Sequence, residues 1–255
     1  MFTIITPTYK RSDLLKRTID SVRAQTVQAY THIIVNDSPD DASYTNIKEL
    51  SKEESRVVYI VNEKNMGVNF SRNRALHLAP ENSWVIFLDD DDYLAPDALS
   101  FFKNLIEKHS HTHWFMANRA LKNGVSLTYA PSSNTSYNYA LDYLITKKIK
   151  GDATHCIQKK IIPTATFSTR IKQGEEWLFF YQVGLQTKLF YVDHNSTLSD
   201  GYDVHNGLNF RLRPKKERLL SLIALYKEGF SKGLWLHITF LLYMKLRLLK
   251  LLIAP

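Results

Sequence analysis

The sequence predicts an α/β protein in which a mostly parallel sheet is covered by helices on both faces. Up to residue 110, short apolar runs rich in β-branched residues alternate with segments of helical periodicity. This alternation is typical of parallel sheets. The segment Trp84–Leu88 (WVIFL) is apolar throughout, as expected of a strand buried on both faces. With 255 residues, the chain is long enough for one large domain with its own core.

The individual elements follow from these patterns. Strands are predicted at Phe2–Thr6, Thr31–Asn36, Val57–Asn62 and Trp84–Leu88. Helices are predicted at Ser12–Ala24, Tyr44–Lys52, Phe70–Leu78 and Pro96–His109. Beyond residue 110 the pattern is less regular, and the predictions are antiparallel strands at Trp114–Asn118 and Ser126–Tyr129, a loop at Pro131–Tyr139, helices at Tyr139–Thr146 and Gly174–Leu185, and a last strand at Lys188–Asp193.

Cysteine content and the N-terminal sequence bear on the cellular compartment. Cys156 is the single cysteine, so an intrachain disulfide is excluded and a reducing compartment is favoured. The first residues form a strand pattern rather than a signal peptide. We therefore expect a cytoplasmic protein.

The positive charge is concentrated at the C-terminal end. Residues 1–210 contain 23 basic and 23 acidic residues, whereas residues 211–255 contain ten basic and two acidic ones. We therefore divide the chain into a body, residues 1–213, and a basic amphipathic helical tail, residues 214–255. The longest uncharged run of the tail, Gly233–Met244, is too short to cross a bilayer.

Such a tail favours docking on the inner face of the cytoplasmic membrane as an interfacial helix. The alternatives are a helix packed on the body and a homodimer interface. Nucleic acid is a poor candidate partner, because the tail is leucine-rich and has little interleaving of aromatic and basic residues.

Four consecutive aspartates, Asp89–Asp92, follow the WVIFL strand directly. Their carboxylates repel one another unless a cation is present. Carboxylates combined with diphosphate oxygens are a usual way to hold Mg²⁺ or Mn²⁺. The alternative is a solvated turn that caps the next helix. The position favours the metal site, because ligands bind beyond the carboxyl ends of the strands in such sheets.

Three further polar clusters are weaker signals by themselves. Thr6–Arg11 follows the first strand and would let backbone amides and a ring approach a nucleotide. In Asn65–Arg74, Gly67 permits a tight turn, and only one of Arg72 and Arg74 should face a site. In Gly174–Trp177, one of two adjacent carboxylates can face a cleft as a general base.

Taken in order, the motifs TIITPTYKR, IIVNDSPDD, NMGVNFSRNRAL, FLDDDDYLAPDAL and GEEW resemble those of family 2 glycosyltransferases. The resemblance covers roughly residues 2–205. It implies the GT-A fold, which is Rossmann-like, with a helical C-terminal appendage. It also implies metal-assisted, inverting transfer of a sugar from a nucleotide-diphosphate sugar, expected to be a UDP-sugar, to a hydroxyl of a glycan or lipid-linked acceptor.

The resemblance assigns expected roles to individual residues. Nucleotide-sugar contacts are expected from Thr6, Pro7, Thr8, Tyr9, Arg11, Asp37, Asn65, Gly67, Arg72, Asp89 and Asp90. Metal ligation is expected from Asp91, with Asp89 and His205. Glu175 and Glu176 match the family's Glu-Asp pair, in which the second member is the base. Asp152 and His155 are weaker candidates for the acceptor side.

The resemblance also suggests a pathway, the synthesis of surface polysaccharide or lipopolysaccharide. Two alternative functions stay open. One is a glycosyltransferase that acts on a polyprenyl phosphate, whose phosphate nucleophile needs no base. The other is a non-catalytic module that binds nucleotide sugars.

Overall fold

The computed structural model describes residues 1–162, 165–170, 176–200 and 214–253. Its first part alternates strands and helices, as predicted. The strands are β1 (Phe2–Thr8), β2 (Tyr30–Asn36), β3 (Val57–Val61) and β4 (Trp84–Phe87). The helices are α1 (Ser12–Arg23), α2 (Thr45–Glu53) and α3 (Val68–Leu78), and a 3₁₀ turn at Ala42–Tyr44 precedes α2. The strands pair in parallel in the order β3-β2-β1-β4.

The second part extends this sheet with mixed pairing. Its strands are β5 (Asp92–Leu94), β6 (Trp114–Leu121), β7 (Thr128–Tyr129), β8 (Thr135–Tyr137), β9 (Lys150–Gly151), β10 (Ala153–Gln158) and β11 (Leu189–Ser199). Its helices are α4 (Ala98–Lys108), a π-helix at Tyr139–Ile145, a 3₁₀ turn at Lys159–Ile161 and α5 (Trp177–Gly184). Over the described residues the main sheet has nine strands in the order β3-β2-β1-β4-β10-β6-β11-β5, with β8 on β11.

The fold class predicted from the sequence is confirmed, although the sheet is parallel mainly in its first half. Strand β10 runs antiparallel to β4 and β6, and β11 runs parallel to β6 but antiparallel to β5 and β8. All eight elements predicted before residue 110 lie within two residues of their observed bounds.

Several predictions beyond residue 110 were wrong in detail. The segment Ser126–Tyr129 contributes only β7, which pairs with β9. The expected loop contains β8, the helix expected at Tyr139–Thr146 is π-helical, and the last strand continues past Asp193 to Ser199. Strands β5, β9 and β10 were not predicted. Short antiparallel strands are specified by distant partners, so local periodicity does not reveal them.

The C-terminal region contains two helices, α6 (Lys215–Ser231) and α7 (Ile238–Ile253), joined by a 3₁₀ turn at Leu234–Leu236. Phe240 and Leu225 are fully buried in the same hydrophobic cluster as α5. A Cβ atom placed on Gly229 would lie 2.1 Å from the Phe240 ring, so the two helices cross closely. Within the described part of the chain, no helix combines the length and apolar character needed to cross a membrane.

Candidate functional site

The polar segments singled out in the sequence meet at one edge of the sheet. Strands β1, β2 and β4 are parallel, so their carboxyl ends lie side by side. Arg11 follows β1, Asp37 follows β2, and Asp89–Asp92 follow β4. This edge is where α/β sheets bind ligands. The helix α3 brings Arg72 to the same place, and Glu176 arrives just before α5.

The four aspartates differ in exposure. The side chains of Asp89 and Asp91 are 50% and 37% exposed. Those of Asp90 and Asp92 are 8% and 5% exposed. The first and third carboxylates therefore face solvent at the carboxyl edge of the sheet, in the space we call the cleft, whereas the second and fourth face the protein.

A buried arginine joins the acidic run to Glu176. The Arg72 side chain is only 5% exposed, and its Nη2 donates to Asp89 Oδ1 at 2.7 Å. Its Nη1 donates to Glu176 Oε1 at 2.5 Å. Burial opposes ionisation of Asp89, but the charge and hydrogen bond of Arg72 outweigh it and lower the pKa of Asp89. Glu176 is 46% exposed, so its carboxylate is open to the cleft.

A second arginine holds the middle of the run. Arg11 Nη1 donates to Asp91 Oδ2 at 2.9 Å and lies 3.4 Å from Asp90 Oδ1. The pKa of Asp91 is raised by burial and by the charge of Asp89, against the effect of Arg11. Arg17 donates to the Asp91 carbonyl at 2.7 Å, so the backbone of the run is also fixed.

The buried aspartates, Asp90 and Asp92, contact residues that hold the acidic run in place. Arg119, from β6, donates from Nε and Nη2 to the two carboxylate oxygens of Asp92 at 2.7 and 2.8 Å. Burial raises the pKa of Asp92 to about 6 despite this pair. Burial raises the pKa of Asp90 to about 7, opposed by a hydrogen bond from Thr8. Thr18 donates to the carbonyls of Asp90 and Asp92 at 3.0 and 2.6 Å.

The acidic run has the donor chemistry of a divalent-cation site. Carboxylate oxygens of Asp89, Asp91 and Asp92 all lie within 4.8 Å of one another. Hard oxygen ligands suit Mg²⁺ and Mn²⁺. Because Arg119 occupies both oxygens of Asp92, Asp89 and Asp91 are the members of the set that fit a cation best.

A depression of about 600 Å³ lies at the ends of β1, β2 and β3. Tyr9, Asp37 and Asn65 line it, together with Lys10 and Lys64. The Tyr9 ring is 43% exposed and borders the depression. The depression has the size of a small-molecule site.

Asp37 is tied to the loop that borders the depression. Its two carboxylate oxygens accept from the backbone amides of Met66 and Gly67 at 2.8 and 2.7 Å and from Asn62 Nδ2 at 2.7 Å. Gly67 has φ +89°, a conformation that favours glycine. Asp37 and Gly67, which were singled out separately in the sequence, are thus joined by a hydrogen bond at one turn.

The end of β1 is mostly buried. Thr6, Pro7 and Thr8 are buried, and Thr6 Oγ1 pairs with His32 Nε2 at 2.9 Å. Tyr44 holds this end in place, with its hydroxyl 2.8 Å from Thr8 Oγ1 and accepting from the Arg11 amide at 2.9 Å.

The remaining predicted site residues fall in different surroundings. Asp152 is 52% exposed, and Arg119 Nη1 donates to it at 3.3 Å, so it joins the edge of the acidic run. His155 is buried against Trp114 and Phe180 in the aromatic core, and burial lowers its pKa to about 3. Glu175 and His205 lie outside the described residues.

Several residues of the site were missed in the sequence. Arg119, Arg17, Thr18 and Tyr44 each fix part of the acidic run or the end of β1. None of them stands in a motif, and each acts on a residue far away in the chain. Residue type was the only signal that the sequence offered. Threonine suits contacts with backbone carbonyls, and arginine suits contacts with carboxylates.

The sheet, with an acidic pair and a depression at its carboxyl edge, agrees with the GT-A fold that the resemblance implies. The chain belongs to glycosyl transferase family 2, whose sequence profile matches residues 3–162.

Named relatives agree with this assignment. An uncharacterized glycosyltransferase of Methanocaldococcus jannaschii is 23% identical over 236 residues, which are 91% of this chain and 80% of the relative. The GalNAc(5)-diNAcBac-PP-undecaprenol beta-1,3-glucosyltransferase of Campylobacter jejuni is 34% identical over 98 residues, or 38% of this chain. The chain matches only 31% of the length of that second relative.

Solved structures show the same fold. TarS 1-349 of S. aureus in complex with UDP-GlcNAc matches with a TM-score of 0.62 at 19% identity, over 87% of this chain and 65% of that chain. The mannosyltransferase PcManGT of Pyrobaculum calidifontis, in complex with GDP-Man and Mn²⁺, matches with a TM-score of 0.58 at 13% identity, over 91% of this chain and 64% of that one.

Proposed function

We propose that the protein transfers a sugar from a UDP-sugar to a hydroxyl group of a lipid-linked or cell-surface glycan, with inversion at the anomeric carbon. One observation carries this proposal. The buried Arg72 contacts Asp89 with one Nη atom and Glu176 with the other, so a candidate metal ligand and a candidate base face the same cleft. A non-catalytic binding module would not need Glu176 in this position.

The depression beside Asp37 is the proposed site of the nucleotide. Tyr9 offers an exposed ring for stacking, and Lys10 and Lys64 offer positive charge. Asp37 already accepts three hydrogen bonds, which leaves about one lone-pair site for a base N–H. The complex of TarS with UDP-GlcNAc supports a UDP-sugar as donor.

Asp89 and Asp91 would hold Mn²⁺ or Mg²⁺. When bound, the cation would neutralise charge on the leaving diphosphate. Arg11 lies 2.9 Å from Asp91, and its guanidinium is able to pair with a phosphate. The Mn²⁺ in the PcManGT complex supports a divalent ion.

Glu176 is the proposed base. Its carboxylate would accept the proton of the acceptor hydroxyl as that oxygen attacks the anomeric carbon from the face opposite the diphosphate. Arg72 orients Glu176 through the 2.5 Å hydrogen bond and also contacts Asp89, so both ends of the reacting centre are fixed by one side chain. Glu175 and His205 stay predictions, as second carboxylate and third metal ligand.

The acceptor is proposed to be a glycan of cell-surface type. The Campylobacter jejuni relative has an undecaprenol-linked substrate in its name, and a relative from Bacillus spizizenii is named a poly(ribitol-phosphate) beta-glucosyltransferase. Asp152, half exposed beside Arg119, is a candidate contact of the acceptor. His155 stays a weaker candidate for the acceptor side, because its side chain is buried in the core.

The decisive experiment combines ligand binding with one variant. A thermal-shift screen of UDP-, GDP-, CMP- and TDP-sugars, with and without Mn²⁺, should give the largest rise for a UDP-sugar with Mn²⁺. Glu176→Gln should keep that rise and lose about 10²–10⁴-fold in transfer rate. Glu107→Gln, an exposed glutamate of α4, is the matched control.

Three results would point elsewhere. Full transfer to a hydroxyl by Glu176→Gln would remove Glu176 as the base. Transfer to a polyprenyl phosphate that survives this substitution would identify the other acceptor class. Ligand binding without transfer or hydrolysis by the wild type would indicate a binding module.

A further inference from the structure

Exposed apolar side chains are concentrated on the two C-terminal helices. Of the 26 large hydrophobic residues exposed in the described part of the chain, 15 lie between residues 214 and 253. Scattered exposed leucines are normal, but a concentration of this kind marks an interaction surface.

The helix α7 is apolar on both sides. Phe240 and Met244 are buried toward the body. On the other side, Ile238, Leu249 and Leu252 are 76%, 43% and 61% exposed. A surface helix normally turns polar residues outward. The outer side of α7 therefore lacks the composition expected for contact with water.

The helix α6 continues this surface. Leu219, Ile223, Tyr226 and Phe230 recur at helical spacing, and all are exposed. The Phe230 ring stacks on Trp235, with ring centroids 5.5 Å apart, so the stripe leads into the turn between the helices. We call the outer side of α6, this turn and the outer side of α7 the docking face.

Charge decides between the partners that such a face could bind. Residues 214–253, which include α6, the turn and α7, contain eight basic and two acidic residues. In a symmetric dimer the docking face would meet its own copy, which would bring like charges together. An anionic lipid surface instead complements the lysines, while its acyl region accepts the leucines.

We propose that the docking face binds the surface of an anionic phospholipid membrane, with α7 lying parallel to the membrane plane. Trp235, on the turn, has the amphipathic ring that favours the headgroup region. The lysines Lys245 and Lys250 of α7 meet the lipid phosphates. This inference goes beyond the transfer reaction and does not depend on it.

Vesicle co-sedimentation of the full-length protein tests the proposal. We expect binding to vesicles of phosphatidylcholine mixed with phosphatidylglycerol, weak binding to phosphatidylcholine alone, and release at high salt. Ile238→Ser, Leu249→Ser and Leu252→Ser combined should weaken binding by about tenfold or more. Lys245→Gln with Lys250→Gln should weaken it by roughly tenfold or more at low salt.

Matched controls exclude general effects of these substitutions. Leu14→Ser with Leu78→Ser changes exposed leucines outside the docking face. Lys16→Gln with Lys103→Gln removes two exposed lysines elsewhere. Both control variants should bind vesicles as the wild type does. Circular dichroism and thermal melting establish that the variants are folded.

Two outcomes would overturn the proposal. One is a wild-type protein that binds neither kind of vesicle at low salt. The other is a wild-type dimer in sedimentation that the serine substitutions convert to a monomer while vesicle binding is absent. The vesicle assay needs no turnover, so Glu176→Gln should bind vesicles normally even if the proposed reaction proves wrong.

Discussion

The acidic run contains two pairs of aspartates with opposite surroundings. Asp89 and Asp91 are half exposed and face the cleft, where arginines contact them from the side. Asp90 and Asp92 are almost fully buried, and their neighbours are Arg11, Thr18 and Arg119. Four identical residues in a row thus occupy two kinds of surroundings, which alternate along the chain.

The difference shows that charge alone does not identify a functional carboxylate. A carboxylate that binds a cation or a ligand must remain accessible, whereas a buried one must be paired or protonated. Burial raises the pKa values of Asp90 and Asp92, whereas Arg72 lowers the pKa of Asp89; the pKa of Asp91 is raised as well, so exposure and not the direction of the pKa shift separates the two pairs. If accessibility decides function, substitutions in the open pair, Asp89 and Asp91, should affect activity. Substitutions in the buried pair, Asp90 and Asp92, should affect stability.

The largest expected effect is on catalysis, from Asp91→Asn. Loss of a carboxylate ligand should lower the transfer rate by about 10³-fold, because a metal contributes several kcal/mol of charge stabilisation. The thermal midpoint without ligand should change little, since Asp91 is 37% exposed, but the Mn²⁺-dependent rise should be lost. Asp20→Asn on the exposed side of α1 is the control. Unchanged activity in Asp91→Asn would assign the cation elsewhere.

Asp92→Asn should act mainly on stability. It leaves Arg119, whose side chain is 14% exposed, without the two-point carboxylate contact. Removing one partner of a buried pair should lower the free energy of unfolding by about 3 kcal/mol. Urea denaturation measures this.

A double-mutant cycle measures the interaction between Asp92 and Arg119 separately from their contacts with other residues. Arg119→Met alone should also be destabilising, and the double variant should cost less than the sum of the single ones. Additive costs would mean that Asp92 and Arg119 do not depend on each other.

Asp90 should make stability depend on pH. Its pKa of about 7 in the folded protein exceeds the ordinary value of 3.8, so the folded chain holds a proton that the unfolded chain has lost. The resulting stabilisation is complete below the ordinary value and disappears as the pH rises through about 7. Between about pH 5 and pH 8, the wild type should lose about 2 kcal/mol more than Asp90→Asn.

The contributions of other titrating groups to the pH dependence of stability cancel when the wild type is compared with Asp90→Asn. Asp92, with a raised pKa, acts in the same direction, whereas His32 and His155, whose pKa values are lowered to about 3, act in the opposite direction. All three are present in both proteins. Equal pH profiles for wild type and Asp90→Asn would show that Asp90 is ionised in the fold.

The parallel half of the sheet and the open residues of the site could be predicted from the sequence. Strand periodicity located β4, and the acidic run after it followed from the strand-end rule. The choice of Asp89 and Asp91 within the run came from the resemblance to the family's motif. Arg119 could not be predicted, because its contact with Asp92 requires β11 to lie between β6 and β5 in the sheet. Such contacts depend on the tertiary order of the strands, which local patterns do not contain.

Neither strand periodicity nor the strand-end rule indicates which aspartates of the run are open and which are buried. Alternation over Asp89–Asp92 follows once the run is extended, but a run of identical residues has no periodicity to read. The structure adds the observation that Thr18 and Arg17, from α1, hold the carbonyls of the run. The helix that follows β1 thus holds the backbone of the acidic run through these hydrogen bonds.

The smallest expected effect therefore concerns Thr18. Thr18→Val keeps the side-chain volume but leaves the carbonyls of Asp90 and Asp92 without this donor, which should lower the free energy of unfolding by about 1–2 kcal/mol. Thr45→Val, whose hydroxyl is exposed, should have little effect. If Thr18 fixes the alternation, the Mn²⁺-dependent thermal shift should also shrink in Thr18→Val. A loss of stability with an unchanged Mn²⁺ response would mean that the open pair keeps its orientation without help from α1.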